Sequence, residues 1–425
     1  MTSSVHAGED LLFSVLVQLI IMIGAARLLN IAARRLGQPG AVGEIIAGLM
    51  LGPSLLGALA PAFSISLFGA TPTPAITIIS QIGLTLLMFQ IGMEFEFGHL
   101  QTRQHRKGAL LIAGASVLVP LICGLGLGWL TAPLLAPGID PLLYALFFGN
   151  ALAITALPIL GRILAQFGLT DQPVGVVAIA AAAANDVAGW VLLASISALA
   201  AAQFSAGSLA LQLAGIATLL IVARVVLTPL ASWLVAAFPA DNGRLDPTLM
   251  AAMLAMTFGL AICTYKLGIF AIFGGFLAGL IVHRHADFVA AWKGQVGGFV
   301  LVFFLPVFFT YTGLRTNLLG LGLADLGWLA IILAVAILAK IVPVYGAARL
   351  SGYSPAQSAV LGSLMNTRAL MELIVLNIGR DLGVIPPNVF TMLVVMAVVT
   401  TIMTGPLLKC LLPHTGHVIP KGVEA

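Results

Sequence analysis

The sequence predicts an all-α polytopic membrane protein with about thirteen transmembrane helices. Of its 425 residues, 60% are hydrophobic and 8% are charged, whereas soluble domains carry about 25% charged residues. Apolar runs of about 20 residues, the length that crosses a bilayer as a helix, recur along the chain. We therefore expect the lipid bilayer to surround the protein, and the modest formal charge of +4 does not indicate a nucleic-acid partner.

Glycine, proline and charged residues separate the apolar runs. The first run begins near Leu11 and lacks the basic segment of a cleaved signal, so we expect it to be retained. The three cysteines lie in apolar runs without CxxC spacing, so we interpret them as small core hydrophobic residues rather than as disulfide or metal-binding residues. We expect no cofactor. The predicted spans cover residues 11–31, 40–60, 75–93, 108–130, 142–160, 174–201, 208–237, 247–266, 269–283, 297–314, 325–347, 355–378 and 387–411.

Loop charges predict the orientation, since cytosolic loops carry an excess of Lys and Arg. With the N-terminus outside and the C-terminus in the cytosol, Lys266, Arg315 and Arg380 face outward. The predicted location is a cell membrane, with a bacterial inner membrane favoured. The basic residues that this orientation places in the cytosol are Arg34, Arg35, Arg103, Arg106, Lys107, Arg162, Arg244, Arg284, Lys293, Arg349, Lys409 and Lys421.

Two segments repeat seven spans apart. Residues 35–49 and 266–280 share Leu-Gly, then Gly, then Ala-Gly-Leu in register, and residues 89–93 and 310–314 each close the following span with Gly and a long apolar residue. An odd offset reverses the direction through the membrane, so the halves form inverted-topology repeats, as in secondary transporters. Chance similarity among Gly-, Ala- and Leu-rich helices is the alternative interpretation.

Two spans contain features that break a helix. In span 5, Pro158 lacks an amide hydrogen and frees carbonyls near Ile154 and Thr155; a satisfied kink is the alternative. The counterpart in span 12, residues 365–372, is crowded with polar groups. Crossed broken helices at the midplane direct carbonyls at cations and helix N-termini at anions.

Asp186 is the residue that most strongly indicates a function. It lies with Asn185 near the middle of span 6, where a carboxylate costs about 2.5–3.5 kcal/mol on insertion scales. Span 6 carries no counter-ion, so a structural role is the less favoured alternative for Asp186. Asn185 either lines a site or packs between helices.

Three further charged residues lie inside predicted spans. Lys340 in span 11 can pair with Asp186, cap the C-terminus of a broken helix, or extend to the cytosolic face. Arg368 and Glu372 in span 12 are four residues apart, a spacing that lets them pair on one face of a helix. We expect that pair to be structural and to shape the site, as we expect of Pro158.

Four segments, in order, resemble the monovalent cation/proton antiporter family 2, above all plant cation/proton exchangers and bacterial potassium/sodium–proton antiporters. The resemblance extends over about residues 10–410. It is carried by AITALPILGRILAQFGL, AAAANDVAGWVLL, FFTYTGLRTNL and LGSLMNTRALMELIVLNIG.

The resemblance implies the thirteen-helix sodium/proton antiporter fold and a homodimer. It implies that Asp186, preceded by Asn185, carries the cation or the proton, that Thr155 is a ligand, and that Lys340 is the core lysine. The nucleotide-binding domain that many relatives carry after the last span is not expected in this chain. The implied domains are a dimerisation domain (1–105 and 245–320), a translocation core (106–205 and 321–412), a linker helix (206–244) and a short cytosolic tail (413–425).

The predicted function is secondary transport rather than enzyme catalysis. We expect exchange of potassium or sodium for protons by competition at Asp186 with alternating access. The cation/proton-binding residues we expect are Asp186, Asn185 and Thr155, and the metal at Asp186 is a monovalent cation only. A cation channel is the alternative. An intramembrane enzyme is less favoured, because an aspartyl protease needs two membrane-embedded Asp residues and we find one.

Overall fold

The computed structural model describes residues 2–69, 73–94, 103–170, 172–201, 206–241 and 243–417. Residues 418–425 of the predicted tail, with Lys421, lie outside the described part. Within the described ranges the regular structure is helical, apart from an isolated bridge between Asp241 and Arg244. The α-helices are α1 (Thr2–Arg35), α2 (Gly40–Leu51), α3 (Leu56–Leu59), α4 (Pro61–Phe68), α5 (Pro74–Met93), α6 (Arg103–Leu135), α7 (Pro141–Ala153), α8 (Leu157–Gln166), α9 (Pro173–Ala201), α10 (Ala206–Val222), α11 (Thr228–Ala237), α12 (Pro247–Lys266), α13 (Ala271–Val282), α14 (Ala286–Trp292), α15 (Leu305–Leu314), α16 (Leu323–Leu350), α17 (Pro355–Met365), α18 (Ala369–Asp381) and α19 (Pro387–Leu411).

Twelve helical stretches in the described ranges are long and apolar enough to cross a membrane. They match twelve of the predicted spans, which confirms the all-α polytopic class. The ninth predicted span, 269–283, corresponds to α13, which has 12 residues. At 1.5 Å per residue α13 is about 18 Å long, shorter than the bilayer core of about 30 Å. The predicted count of thirteen is therefore approximate.

Proline and acidic caps fix where several helices begin. Pro141 opens α7, where its missing amide hydrogen leaves no helical bond unmade. The preceding Asp140 accepts hydrogen bonds from the amides of Leu142 and Leu143, at 3.0 and 2.9 Å. Asp246 caps α12 in the same way. Such caps satisfy amides that have no partner inside the helix.

The contacts divide the chain into two compact units. The first comprises Met1–Ile23, Ser66–Glu96 and Ser197–Tyr311. In it, α5 packs on α13 through glycines: a Cβ atom at Gly92 would lie 2.4 Å from the carbonyl oxygen of Phe276. Only glycine permits this backbone approach, which positions one short apolar helix against a full-length span.

The second unit comprises Gly24–Ile65, Phe97–Ile196 and Thr312–Ala425. In it α6 packs against α7 and α16, and α16 packs against α17. All seven residues that the sequence singled out for the site lie in this unit. The predicted assignment of dimerisation and translocation roles to parts of the chain stays a prediction.

Candidate functional site

The first helix break lies between α7 and α8. Helix α7 ends at Ala153 and α8 begins at Leu157. Ile154 and Ala156 adopt extended backbone conformations, with φ of −67° and −88°. Pro158 sits in the first turn of α8, where it has no amide hydrogen to give to the carbonyl of Ile154. The break predicted from Pro158 is confirmed.

The second break separates α17 from α18. Helix α17 ends at Met365, and α18 begins at Ala369 after three residues. Ala369 has φ of +29°, a strained value for a residue with a Cβ atom. The prediction of a second break in residues 365–372 is also confirmed.

Hydrogen bonds join the two breaks directly. The amide of Ala156 donates to the carbonyl oxygen of Thr367 at 2.9 Å, and the hydroxyl of Thr155 donates to the carbonyl oxygen of Met365 at 3.0 Å. Backbone groups released by one break thus satisfy those released by the other, as membrane burial requires. The predicted crossing of two broken helices is confirmed.

Asn185 on α9 holds the first break open. Its Oδ1 accepts the amide of Thr155 at 2.8 Å. Its Nδ2 donates to the carbonyl oxygen of Ala153 at 3.0 Å and to the hydroxyl of Ser116 at 3.1 Å. The hydrogen bonds of the Asn185 side chain therefore position the break. Of the two roles that the sequence left open, lining a site or packing between helices, this favours packing.

Asp186 is the unpaired group at the crossing. Its side chain is 2% exposed, and neither carboxylate oxygen has a hydrogen-bond partner of ordinary geometry among the described residues. The Leu157 amide at the N-terminus of α8 and the charge of Lys340 both act on the carboxyl. A helix N-terminus favours negative charge. These two groups only partly offset the cost of burying a charge at this position, and both carboxylate oxygens stay open to a ligand.

Lys340 on α16 caps the C-terminal end of α7. Its Nζ donates to the carbonyl oxygens of Ala153 and Ser116, at 2.5 and 2.8 Å, and the side chain is fully buried. Of the three predicted roles, extension to the cytosolic face is therefore wrong. A cation at a helix C-terminus is stabilised by the helix dipole. The ammonium group stays within electrostatic range of Asp186.

The direct pair predicted between Arg368 and Glu372 does not form in the described structure. The guanidinium of Arg368 donates to the carbonyl oxygens of Leu152 and Ala336, at 2.5 and 2.8 Å. Both oxygens of Glu372 lack hydrogen-bond partners within the described ranges. The four-residue spacing places side chains on one face only in a continuous helix, and Arg368 precedes the first turn of α18.

Two polar residues at the site escaped sequence reasoning. Ser116 on α6 supplies both a hydroxyl and a carbonyl oxygen to the network of Asn185 and Lys340. A lone serine in an apolar run gives no signal of this role. Asn366, in the second break, is fully buried and its amide atoms have no partner in the described structure. Its place among the polar residues of span 12 was the available signal.

The chain is similar to known antiporters over almost its whole length. Residues 19–413 match the family described as sodium/hydrogen exchanger, transmembrane. Over 415 residues the chain is 37% identical to the Na(+)/H(+) antiporter NhaS4 of Synechocystis sp., covering 96% of this chain and 99% of that protein. It is 34% identical to cation/H(+) antiporter 18 of Arabidopsis thaliana, covering 92% of this chain and 48% of that protein. The chain thus spans about half the length of this plant relative.

The fold also matches a solved structure. The sodium proton antiporter MjNhaP1 of Methanocaldococcus jannaschii aligns with a TM-score of 0.65 at 16% identity, covering 94% of this chain and 97% of that one. This likeness confirms the predicted sodium/proton antiporter fold, and the family match confirms the predicted resemblance. The chain belongs to the sodium/hydrogen exchanger family of cation/proton antiporters.

Proposed function

We propose that this protein exchanges a monovalent cation, sodium or potassium, for protons, and that both compete for the carboxyl of Asp186. The observation that carries the proposal is the open coordination of this buried group: neither oxygen has a hydrogen-bond partner of ordinary geometry among the described residues. An uncompensated carboxylate inside a membrane protein is costly. Binding either a proton or a cation removes most of that cost.

The surroundings of Asp186 suit a monovalent cation. The hydroxyl of Thr155 donates its hydrogen to the carbonyl oxygen of Met365, which leaves the lone pairs of the hydroxyl oxygen for a ligand. Oxygen atoms are the ligands that hard cations prefer. Asn185 serves by fixing the backbone of Thr155, and Lys340 keeps a positive charge near the carboxyl. The positive charge of Lys340 weakens the binding of the transported cation, which favours its release.

Exchange follows from the energetics of one shared carboxyl. With a proton or a cation bound, the charge of Asp186 is neutralised and the core can change the side that it faces. With neither bound, the oxygens of the buried carboxylate have no ligand to replace water, and this cost opposes the movement. Because the core then changes sides only when a proton or a cation is bound, alternating access gives coupled exchange. We propose that the movement takes place in a homodimer, with residues 106–205 and 321–412 as the moving core.

The loop charges support a topology for this cycle. We propose that the N-terminus lies outside and the C-terminus in the cytosol of a bacterial inner membrane, because Arg and Lys are concentrated in the loops that then face the cytosol. NhaS4 is named a Na(+)/H(+) antiporter, whereas the plant relative is named for cations in general. Both sodium and potassium are thus candidates for this chain.

Proteoliposomes with a trapped pH-sensitive dye test the function. We expect an outward sodium or potassium gradient to drive proton uptake, with one of the two ions effective at lower concentration. The uptake should persist when the membrane potential is held at zero by an ionophore for an ion that the protein does not carry. Cation movement without proton counterflow would instead indicate a channel, and no movement of either ion would contradict transport.

A further inference from the structure

Glu372 is a second carboxyl at the crossing without a partner. It is fully buried in α18, and both of its oxygens lack hydrogen-bond partners in the described structure. The cations expected to compensate it are engaged elsewhere: Arg368 on the carbonyls of α7 and α16, and Lys340 on those of α6 and α7. These two are the charged groups whose field reaches Glu372 from the surrounding elements.

The position of Glu372 parallels that of Asp186. Asp186 faces the N-terminal end of α8, the half-helix after the first break, and Glu372 lies in the first turn of α18, the half-helix after the second break. Each half-helix N-terminus thus has a buried carboxyl beside it that lacks a hydrogen-bond partner of ordinary geometry among the described residues. Lys340 acts electrostatically on both carboxyls, so the ionisation of one changes the proton affinity of the other.

The charges at the crossing leave room for a single shared proton. When ionised, Asp186 and Glu372 balance Lys340 and Arg368. One proton on either carboxyl, or one monovalent cation at Asp186, then gives the same net charge of plus one. Two protons give plus two, which is costly inside a membrane protein.

We propose that Glu372 is a second proton-binding group of the transport site, and that it shares the exchanged proton with Asp186. The inference rests on the proposed exchange at Asp186. When a cation binds Asp186, the proton leaves whichever carboxyl holds it, so the exchange remains one proton for one cation. Glu372 thereby sets the pH range in which the cation and the proton compete.

Infrared difference spectroscopy of the purified protein in detergent tests this without transport. Spectra of Asp186→Asn, taken between acid and alkaline pH, should retain a buried protonated-carboxyl band that titrates. The band should vanish in Asp186→Asn/Glu372→Gln. It should remain in Asp186→Asn/Glu44→Gln, the matched control, because Glu44 is another buried carboxyl but is held by Asn30 at 2.7 Å. A band that survives in Asp186→Asn/Glu372→Gln, or no titrating band in Asp186→Asn, would overturn the proposal.

Proton release on adding NaCl or KCl gives a second readout. The wild-type protein should release about one proton per bound cation. In Glu372→Gln the pH of half-maximal release should move toward acid by about one unit, and Glu372→Asp should restore most of the wild-type profile. An unmoved midpoint contradicts the proposal. If the wild-type protein shows no exchange but the Glu372 band is present, the result counts against the proposed function and not against this inference.

Discussion

Lys340 and Asn185 bind the same two backbone carbonyls. The ammonium of Lys340 donates to the oxygens of Ser116 and Ala153 at 2.8 and 2.5 Å, and the Nδ2 of Asn185 reaches them at 3.4 and 3.0 Å. The end of α7 and the middle of α6 are thereby tied to both α9 and α16. The residue beside the proposed carrier and the core lysine thus form one network.

Asn185→Leu should destabilise the protein while leaving its size and fold class intact. The substitution leaves the amide of Thr155 without its acceptor, at about 1–3 kcal/mol for an unsatisfied buried group, whereas the carbonyl of Ala153 keeps its hydrogen bond from Lys340. Thermal unfolding in detergent measures the loss. Ser195→Ala, at an exposed position on the same helix, is the control and should change little. Equal melting temperatures for the two variants would contradict the role given to Asn185.

Lys340→Met should lower stability, and Asp186→Asn should recover part of the loss in the double variant. The single substitution removes the cation that caps α7 and leaves the carboxyl of Asp186 uncompensated. Neutralising that carboxyl removes the second of these costs only. A double-mutant cycle should give a coupling of about 0.5–3 kcal/mol. Strictly additive losses would show that Lys340 and Asp186 do not interact.

Arg368→Met should cost far more stability than Glu372→Gln. The guanidinium donates to Leu152 and Ala336, so its loss removes both bonds and leaves the carbonyl of Leu152, in the last turn of α7, unpaired at about 1–3 kcal/mol. Glu372 makes no hydrogen bond in the described structure, and its neutralisation removes none. Melting temperatures decide the matter, with Lys107→Met at an exposed position as the control. Similar losses of melting temperature in Arg368→Met and Glu372→Gln would contradict this account and indicate a direct ion pair.

Gly313→Ala should destabilise the second unit, whereas Gly346→Ala should not. A Cβ atom at Gly313 would meet the carbonyl oxygen of Gly48 at less than contact distance, and overpacking of this kind costs about 1–3 kcal/mol. Gly346 lies in α16 with open space around it, so alanine there should stabilise by up to about 1 kcal/mol. Equal effects would contradict the close approach of α2 and α15.

His285 should make stability fall on the acid side. Burial and the nearby His283 lower the pKa of His285 in the folded protein, so the unfolded chain binds the proton more tightly. The stabilisation is complete above the unfolded pKa of about 6.5 and is lost as the pH falls below it. His285→Gln should flatten this part of the curve of melting temperature against pH. An unchanged acid limb would contradict the prediction.

Much of the fold was predictable because burial in lipid leaves few alternatives. Continuous apolar runs gave the spans, and Pro158 with the polar segment after Met365 gave both breaks. Asp186 stood out because a carboxylate in the middle of a transmembrane span is energetically costly. These signals are local in sequence, and the physics of the bilayer makes them strong.

The partners of the charged residues were not predictable in the same way. Lys340 binds carbonyls 187 and 224 residues away, and backbone carbonyls carry no sequence signature. The spacing of Arg368 and Glu372 misled because it assumes a continuous helix, and the break ends just before Ala369. Ser116 was missed because its backbone, as much as its side chain, does the binding.

The central claim is that one buried carboxyl carries both the cation and the proton. Its most direct test is cation-driven proton flux in proteoliposomes containing Asp186→Asn, with Asp140→Asn as the matched control. Asn caps a helix as well as Asp, so Asp140→Asn should exchange ions at the wild-type rate. Asp186→Asn should fold normally and show no coupled flux. Cation-driven proton flux in Asp186→Asn at a substantial fraction of the wild-type rate would contradict the account.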